Sequence, residues 1–112
     1  MASNENIENN NIDLIPLINT FWKLKSKINK LDISDKQMKP LETYINSIFD
    51  IIKSFGYDVI DYTNKKYNFG DNIEILSVEG EGDDCRIIEC IQPTVVHQNN
   101  LKQRAMVIIK RG

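Results

Sequence analysis

From Asp13 onward the apolar positions of the chain recur at helical spacing. Leu14, Leu17, Phe21, Leu24, Ile28 and Leu31 alternate steps of three and four, which places them on one face of a helix. Asp13 is suited to cap that helix, and Pro16 falls in its first turn, where the missing N–H has no intrahelical partner to lose. Ile15, Ile18 and Trp22 form a second apolar flank beside the stripe. The stretch LDISDKQMKP interrupts the period. Ser34 and Gln37 have capping-box spacing, after which Leu41, Ile45, Ile48, Ile52 and Phe55 renew the stripe. Pro40 is expected to kink this second helix or delay its regular start. Gly56 follows the last apolar residue, where a helix commonly ends on glycine. Tyr44, Phe49 and Ile51 again widen the apolar surface.

Two helices joined by a short connection predict an antiparallel αα-hairpin, zipped along the two stripes. The flanking residues Ile15, Ile18, Trp22, Tyr44, Phe49 and Ile51 remain wet in a lone hairpin. Pairing two hairpins into a dimeric four-helix bundle removes that exposure. Packing of the same flanks on the chain's own sheet is the alternative.

After Gly56 the period shifts toward two. YDVIDY and IEILSVE read as strands, and Gly80 to Asp84, GEGDD, as the tip of a hairpin. RIIECI and RAMVIIK are the strongest strand candidates, with thirteen mostly polar residues between their apolar runs Ile87–Ile91 and Ala105–Ile109. Ile87, Ile88, Ile91, Val107 and Ile109 are the expected core of this half. The fold class is therefore α+β: a disordered tail over 1–11, a helical hairpin over 12–56, and a small, mainly antiparallel β domain over 57–112.

Composition narrows the chemistry. The 112 residues carry a formal net charge of −2 with signs intermixed, so no basic stripe attracts nucleic acid. No segment has the apolar length of a membrane span or the layout of a secretory signal, and a cytoplasmic location is expected. Cys85 and Cys90, five positions apart on one strand, are expected on opposite faces as reduced thiols. Without a nearby His pair they do not form a zinc site, and no cofactor is expected. His97 is the only histidine, set in a polar loop or strand edge. No nucleophile–base pair accompanies it, so the chain is not expected to be an enzyme. Glu79, Glu81, Asp83 and Asp84 lack EF-hand spacing and read as a solvated turn. Tyr57, Tyr62, Tyr67 and Phe69 lack interleaved basic residues and read as packing groups.

Several stretches, in order, resemble the GrpE family of nucleotide-exchange factors over Leu14 to Lys110. LIPLINTFWKL is similar to the start of that family's bundle helix. IFDIIKSFGYDVID resembles its helix end and first strand, with Ser54-Phe55-Gly56 at the junction. SVEGEGDD resembles its acidic segment, and IIECIQ followed by RAMVIIK its last two strands. The long helix preceding the bundle in that family has no counterpart in the dozen polar residues before Asp13, so the resemblance implies a divergent member lacking it. It further implies a homodimer whose β domain wedges against the nucleotide-binding domain of a DnaK-type chaperone and promotes ADP release. Arg104 and Met106, supported by Gln92 and His97, would make that contact. A GrpE-like dimeric adaptor that binds a protein partner without exchange is the alternative.

Overall fold

The computed structural model describes residues 12–67 and 72–112. The tail expected over 1–11 and the aromatic Phe69 lie outside the described residues. Among the described residues the architecture is α+β, with two helices followed by six strands in two three-stranded sheets.

Helix α1 spans Ile15–Asn29 and α2 spans Asp35–Ser54. The N-cap of α1 is Leu14, while the Asp13 carboxylate accepts from the Ile15 N–H at 2.9 Å, one residue off the expected arrangement. Ser34 caps α2 as expected, its hydroxyl accepting from the Gln37 N–H at 3.2 Å. The helix begins ahead of Pro40 and runs through it, so its start is not delayed. At the other end Gly56 adopts φ 88°, and its N–H donates to the Lys53 carbonyl at 2.9 Å. A β-carbon at that φ would be strained, which is why glycine ends the helix.

The strands are β1 (Tyr57–Ile60), β2 (Ile73–Gly80), β3 (Cys85–Gln92), β4 (Thr94–His97), β5 (Asn100–Gln103) and β6 (Ala105–Arg111). One sheet has the order β1-β4-β5 and the other β2-β6-β3. All pairings are antiparallel except β2 with β6, which is parallel. Strands β3 to β6 form one long bent hairpin. Its outer part is β3 on β6, its inner part β4 on β5, and both strands change sheet at Pro93 and Arg104. Gln98 and Asn99 close the tip with φ of 52° and 67°, the pair of positive values that a type I′ turn requires. The thirteen residues read as polar connection thus hold two whole strands, β4 and β5.

The strand order also corrects GEGDD. Strands β2 and β3 are separated by β6, so Gly80–Asp84 is an arch over the end of β6 and not a hairpin tip. Asp84 and Gly112 exchange backbone hydrogen bonds of 3.2 and 2.9 Å beneath it, and Arg111 Nε donates to the Gly82 carbonyl at 2.8 Å. Gly82, at φ 132°, has no room for a β-carbon against the Gly112 carbonyl.

Two clusters share the core. Ile73, Ile87, Cys90, Ala105, Val107 and Ile109 line one face of the β2-β6-β3 sheet beneath Trp22. Ile18 and Ile52 pack with Tyr57 and Val95 on the other sheet. Phe49 and Val59 contact both clusters and join them. Of the five expected β core residues, Ile87, Val107 and Ile109 are buried, Ile91 is half-buried and Ile88 is exposed. Ile88 follows Ile87 on an alternating strand and so leaves the core face, and the register shifts there: Ile87 pairs with Ile109, but Glu89 pairs with Ile108 and Cys90 with Val107. The extra residue brings Cys90 onto the same face as Ile87. Cys85, opposite Arg111, keeps that face too, which corrects the expectation of opposite faces. Both thiols are free.

Candidate functional site

The bend of the long hairpin gathers three of the four residues expected to contact a partner. Gln92, the last residue of β3, pairs with Met106 on β6. Its amide nitrogen donates to the Arg104 carbonyl at 3.0 Å. Arg104 lies between β5 and β6, outside any regular strand, and its guanidinium donates to the Ile73 carbonyl at 2.6 Å. The arginine therefore ties the bend to the first residue of β2. Met106 alternates with the buried Ala105 and Val107, so it stands half-buried on the opposite face of the sheet.

His97 does not join this group. It sits at the end of β4 in the other sheet, stacked on Tyr57 with ring centroids 4.0 Å apart and planes 8° from parallel. Gly56 lies against the same imidazole, so His97 covers the junction between α2 and β1.

The bend is held from inside. Thr94 is fully buried, its hydroxyl donating to the Asn72 carbonyl at 2.8 Å and accepting from the Ala105 N–H at 3.0 Å. Gln103 donates to the Pro93 carbonyl and exchanges two side-chain hydrogen bonds of 2.9 Å with Asn19, which fastens α1 to the hairpin. These polar anchors carried no sequence signal of their own, since each is an ordinary surface residue until the two strands meet.

The helix flanks divide. Ile18 is 0% exposed and Trp22 5% exposed within a single chain. Trp22 meets Phe49 edge-on at 6.2 Å, and its indole N–H donates to the Cys90 carbonyl at 2.9 Å. Ile15 and Phe49 also pack against the chain's own core. Of the six flank residues, only Tyr44, 69% exposed, and Ile51, 58% exposed, face outward. The uncovered apolar stripe on α1 is Leu17 and Leu24, continued by Leu31, with Phe55 beyond the end of α2. Of the residues expected in the hairpin seam, Leu17, Leu24, Leu31 and Phe55 are thus exposed while Ile28, Ile45 and Ile52 are buried, and of those expected at a dimer interface, Ile15, Ile18, Trp22 and Phe49 pack on the chain's own core.

Two open grooves, of about 460 and 340 Å³, flank Trp22 and share Lys25 and Asp61 on their walls. Lys25 sits over the Trp22 ring at 5.0 Å. Asp61 is held by Thr63, whose hydroxyl donates to it at 2.6 Å. Burial raises the Cys90 thiol above its ordinary range, against the opposing effects of a backbone hydrogen bond from Tyr62 and the Lys25 charge. Among the described residues no cluster of His, Cys, Asp or Glu is placed to hold a metal ion, and no helix is long and apolar enough to cross a membrane.

No family model matches the chain, and no curated protein matches it significantly.

Proposed function

We propose that this chain is a divergent GrpE-like cochaperone, acting in the cytoplasm as a homodimer. Its β domain binds the nucleotide-binding domain of a DnaK-type chaperone and promotes ADP release. The observation carrying this reading is the order of elements: a helical hairpin, then a bent β-hairpin presenting Gln92 and Met106 side by side on the sheet face away from the core. Such a wedge needs no catalytic residue. It acts by binding the open chaperone more tightly than the closed one, and its effect equals that difference in affinity. Two copies would meet through the uncovered stripe on the helices, forming a four-helix bundle in which Leu17, Leu24, Tyr44 and Ile51 replace the buried Ile18 and Trp22 as contacts.

The second reading, an adaptor dimer without exchange activity, is favoured by Arg104. Its guanidinium is engaged with the Ile73 carbonyl, which takes one of the expected contacts out of the wedge. Stopped-flow release of a fluorescent ADP analogue from a DnaK-type chaperone separates the two. Acceleration by the wild type that Met106→Ala reduces supports exchange. Binding without acceleration supports the adaptor, and neither binding nor acceleration rejects both.

A further inference from the structure

Strand β2 is the outer strand of its sheet and is bonded on one side only, to β6. Apart from the Arg104 guanidinium on the Ile73 carbonyl, no other described segment hydrogen-bonds to its outer edge. The opposite edge of the sheet is protected: Asn64, Lys65 and Tyr67 bond to β3 through the Ile87 carbonyl, the Ile87 N–H and the Cys85 carbonyl. Beyond Ile73, every residue of β2 is exposed, including Ile75, Leu76 and Val78. The register jumps across Leu76, so Ile75 stands beside Val107 and Val78 beside Ile109. Both therefore lie on the core face of the sheet, at its rim, 37% and 50% exposed. The edge lacks the lysine or proline that commonly discourages further pairing.

The charge of this edge is one-sided. From Ile73 to Asp84 the ionisable side chains are Glu74, Glu79, Glu81, Asp83 and Asp84, with no Lys, Arg or His among them; the neighbouring strand sets Lys110 beside Glu79. A second copy pairing edge to edge would set these carboxylates against one another, which is unfavourable. We propose that β2 is a docking edge for an extended segment of a partner protein that alternates apolar and basic residues. The segment would add as a fourth strand. Its backbone would satisfy the outward N–H and C=O groups of β2, its apolar side chains would cover Ile75 and Val78, and its cations would meet Glu74 and Glu79. The site adjoins the bend, since Glu74 stands beside Met106 in the register, but it does not depend on the chaperone reading.

The probe is a fluorescent nine-residue peptide alternating valine and lysine, titrated against the full chain by anisotropy to about 1 mM. Saturable binding is expected that weakens with salt, together with slowed amide exchange in β2. A peptide with prolines at its central positions should fail to bind, and one with glutamate for lysine should bind many-fold more weakly. Glu74→Gln combined with Glu79→Gln, which preserves side-chain shape, should weaken the valine–lysine peptide several-fold. The proposal is overturned by absence of binding, by equal binding of the proline or glutamate peptide, or by protection that maps to β5 or the helices. Concentration-dependent protection of β2 without peptide would assign the edge to a second copy and overturn it as well.

Discussion

Replacing Trp22 tests where the energy of this fold is concentrated. The indole lies beneath α1, edge-on to Phe49, and its N–H meets the Cys90 carbonyl, so it joins helix, helix and sheet at one point. Trp22→Phe keeps an aromatic ring but leaves that buried carbonyl without its donor, a loss of about 1–3 kcal/mol. Trp22→Ala removes the ring altogether and should cost about 3–5 kcal/mol through lost burial and the remaining cavity. A domain of this size has about 5–15 kcal/mol in all, so the alanine variant should be close to its unfolding threshold at room temperature. Urea titration followed by far-ultraviolet circular dichroism measures both, the chain having no other tryptophan to follow by fluorescence. The two variants should share the wild-type m value, with midpoints ordered wild type, Phe, Ala. An alanine variant that loses less than about 1 kcal/mol would refute the placement of Trp22 in the core of a single chain. The same placement excludes Trp22 as a probe of dimerisation, because a charge there would unfold the chain before it separated two copies.

Association is instead tested at exposed positions. Leu24→Glu and Ile51→Glu should weaken self-association in sedimentation equilibrium and leave the urea midpoint of the dilute chain unchanged, and a wild type that stays monomeric at tens of micromolar rejects the dimer. Val107 is fully buried between two strands, so Val107→Ala should lower stability by about 1–3 kcal/mol in denaturant titration, and no loss would place it at the surface. The raised thiol of Cys90 contributes stability that is fully present below about pH 8.5, the ordinary thiol value, and is lost as pH rises through the folded value. Unfolding midpoints compared from pH 7 to pH 10 should fall more for the wild type than for Cys90→Ala, and equal slopes would contradict the shift.

The helices were legible because their signals are local. A period of three and four, a serine cap at Ser34 and a glycine stop at Gly56 each act within a few residues. The choice of buried face was not legible. Leu17 and Leu24 make as good an apolar stripe as Ile18 and Trp22, and only the sheet that arrives later in the chain selects between them. Bulges hid the strand faces in the same way: one extra residue at Ile88 or Leu76 reverses the alternation beyond it, so Cys85 and Cys90 share a face despite odd spacing. The β4–β5 hairpin escaped because Gln98-Asn99 lacks the glycine that usually marks such a turn, although Asn99 tolerates positive φ. For the candidate site, the neighbours Gln92 and Met106 were reachable from sequence. The separation of His97 was not, since it follows from the change of sheet at Pro93.

That change of sheet bears on how the exchange hypothesis can be tested. Arg104 sits at the corner, with its guanidinium on the Ile73 carbonyl and its own carbonyl on Gln92. Arg104→Ala would remove a charge from the surface, but it would also release the start of β2 from the corner. A charge-assisted hydrogen bond of this kind is worth about 1.5–3 kcal/mol when intact, so a slower ADP release by that variant could arise from a shifted strand as easily as from a lost contact. Met106 offers a cleaner test: it stands half-buried on the sheet face away from the core and carries no charge-assisted hydrogen bond of the kind Arg104 makes. Met106→Ala should therefore leave the urea midpoint within about 1 kcal/mol of wild type while reducing acceleration of ADP release. Arg104→Lys offers the matching control, because it keeps the charge and loses the fork of donors that reaches Ile73. If the Lys variant retains exchange with a lowered urea midpoint, Arg104 acts through the corner. If it loses exchange at an unchanged midpoint, the guanidinium itself meets the partner.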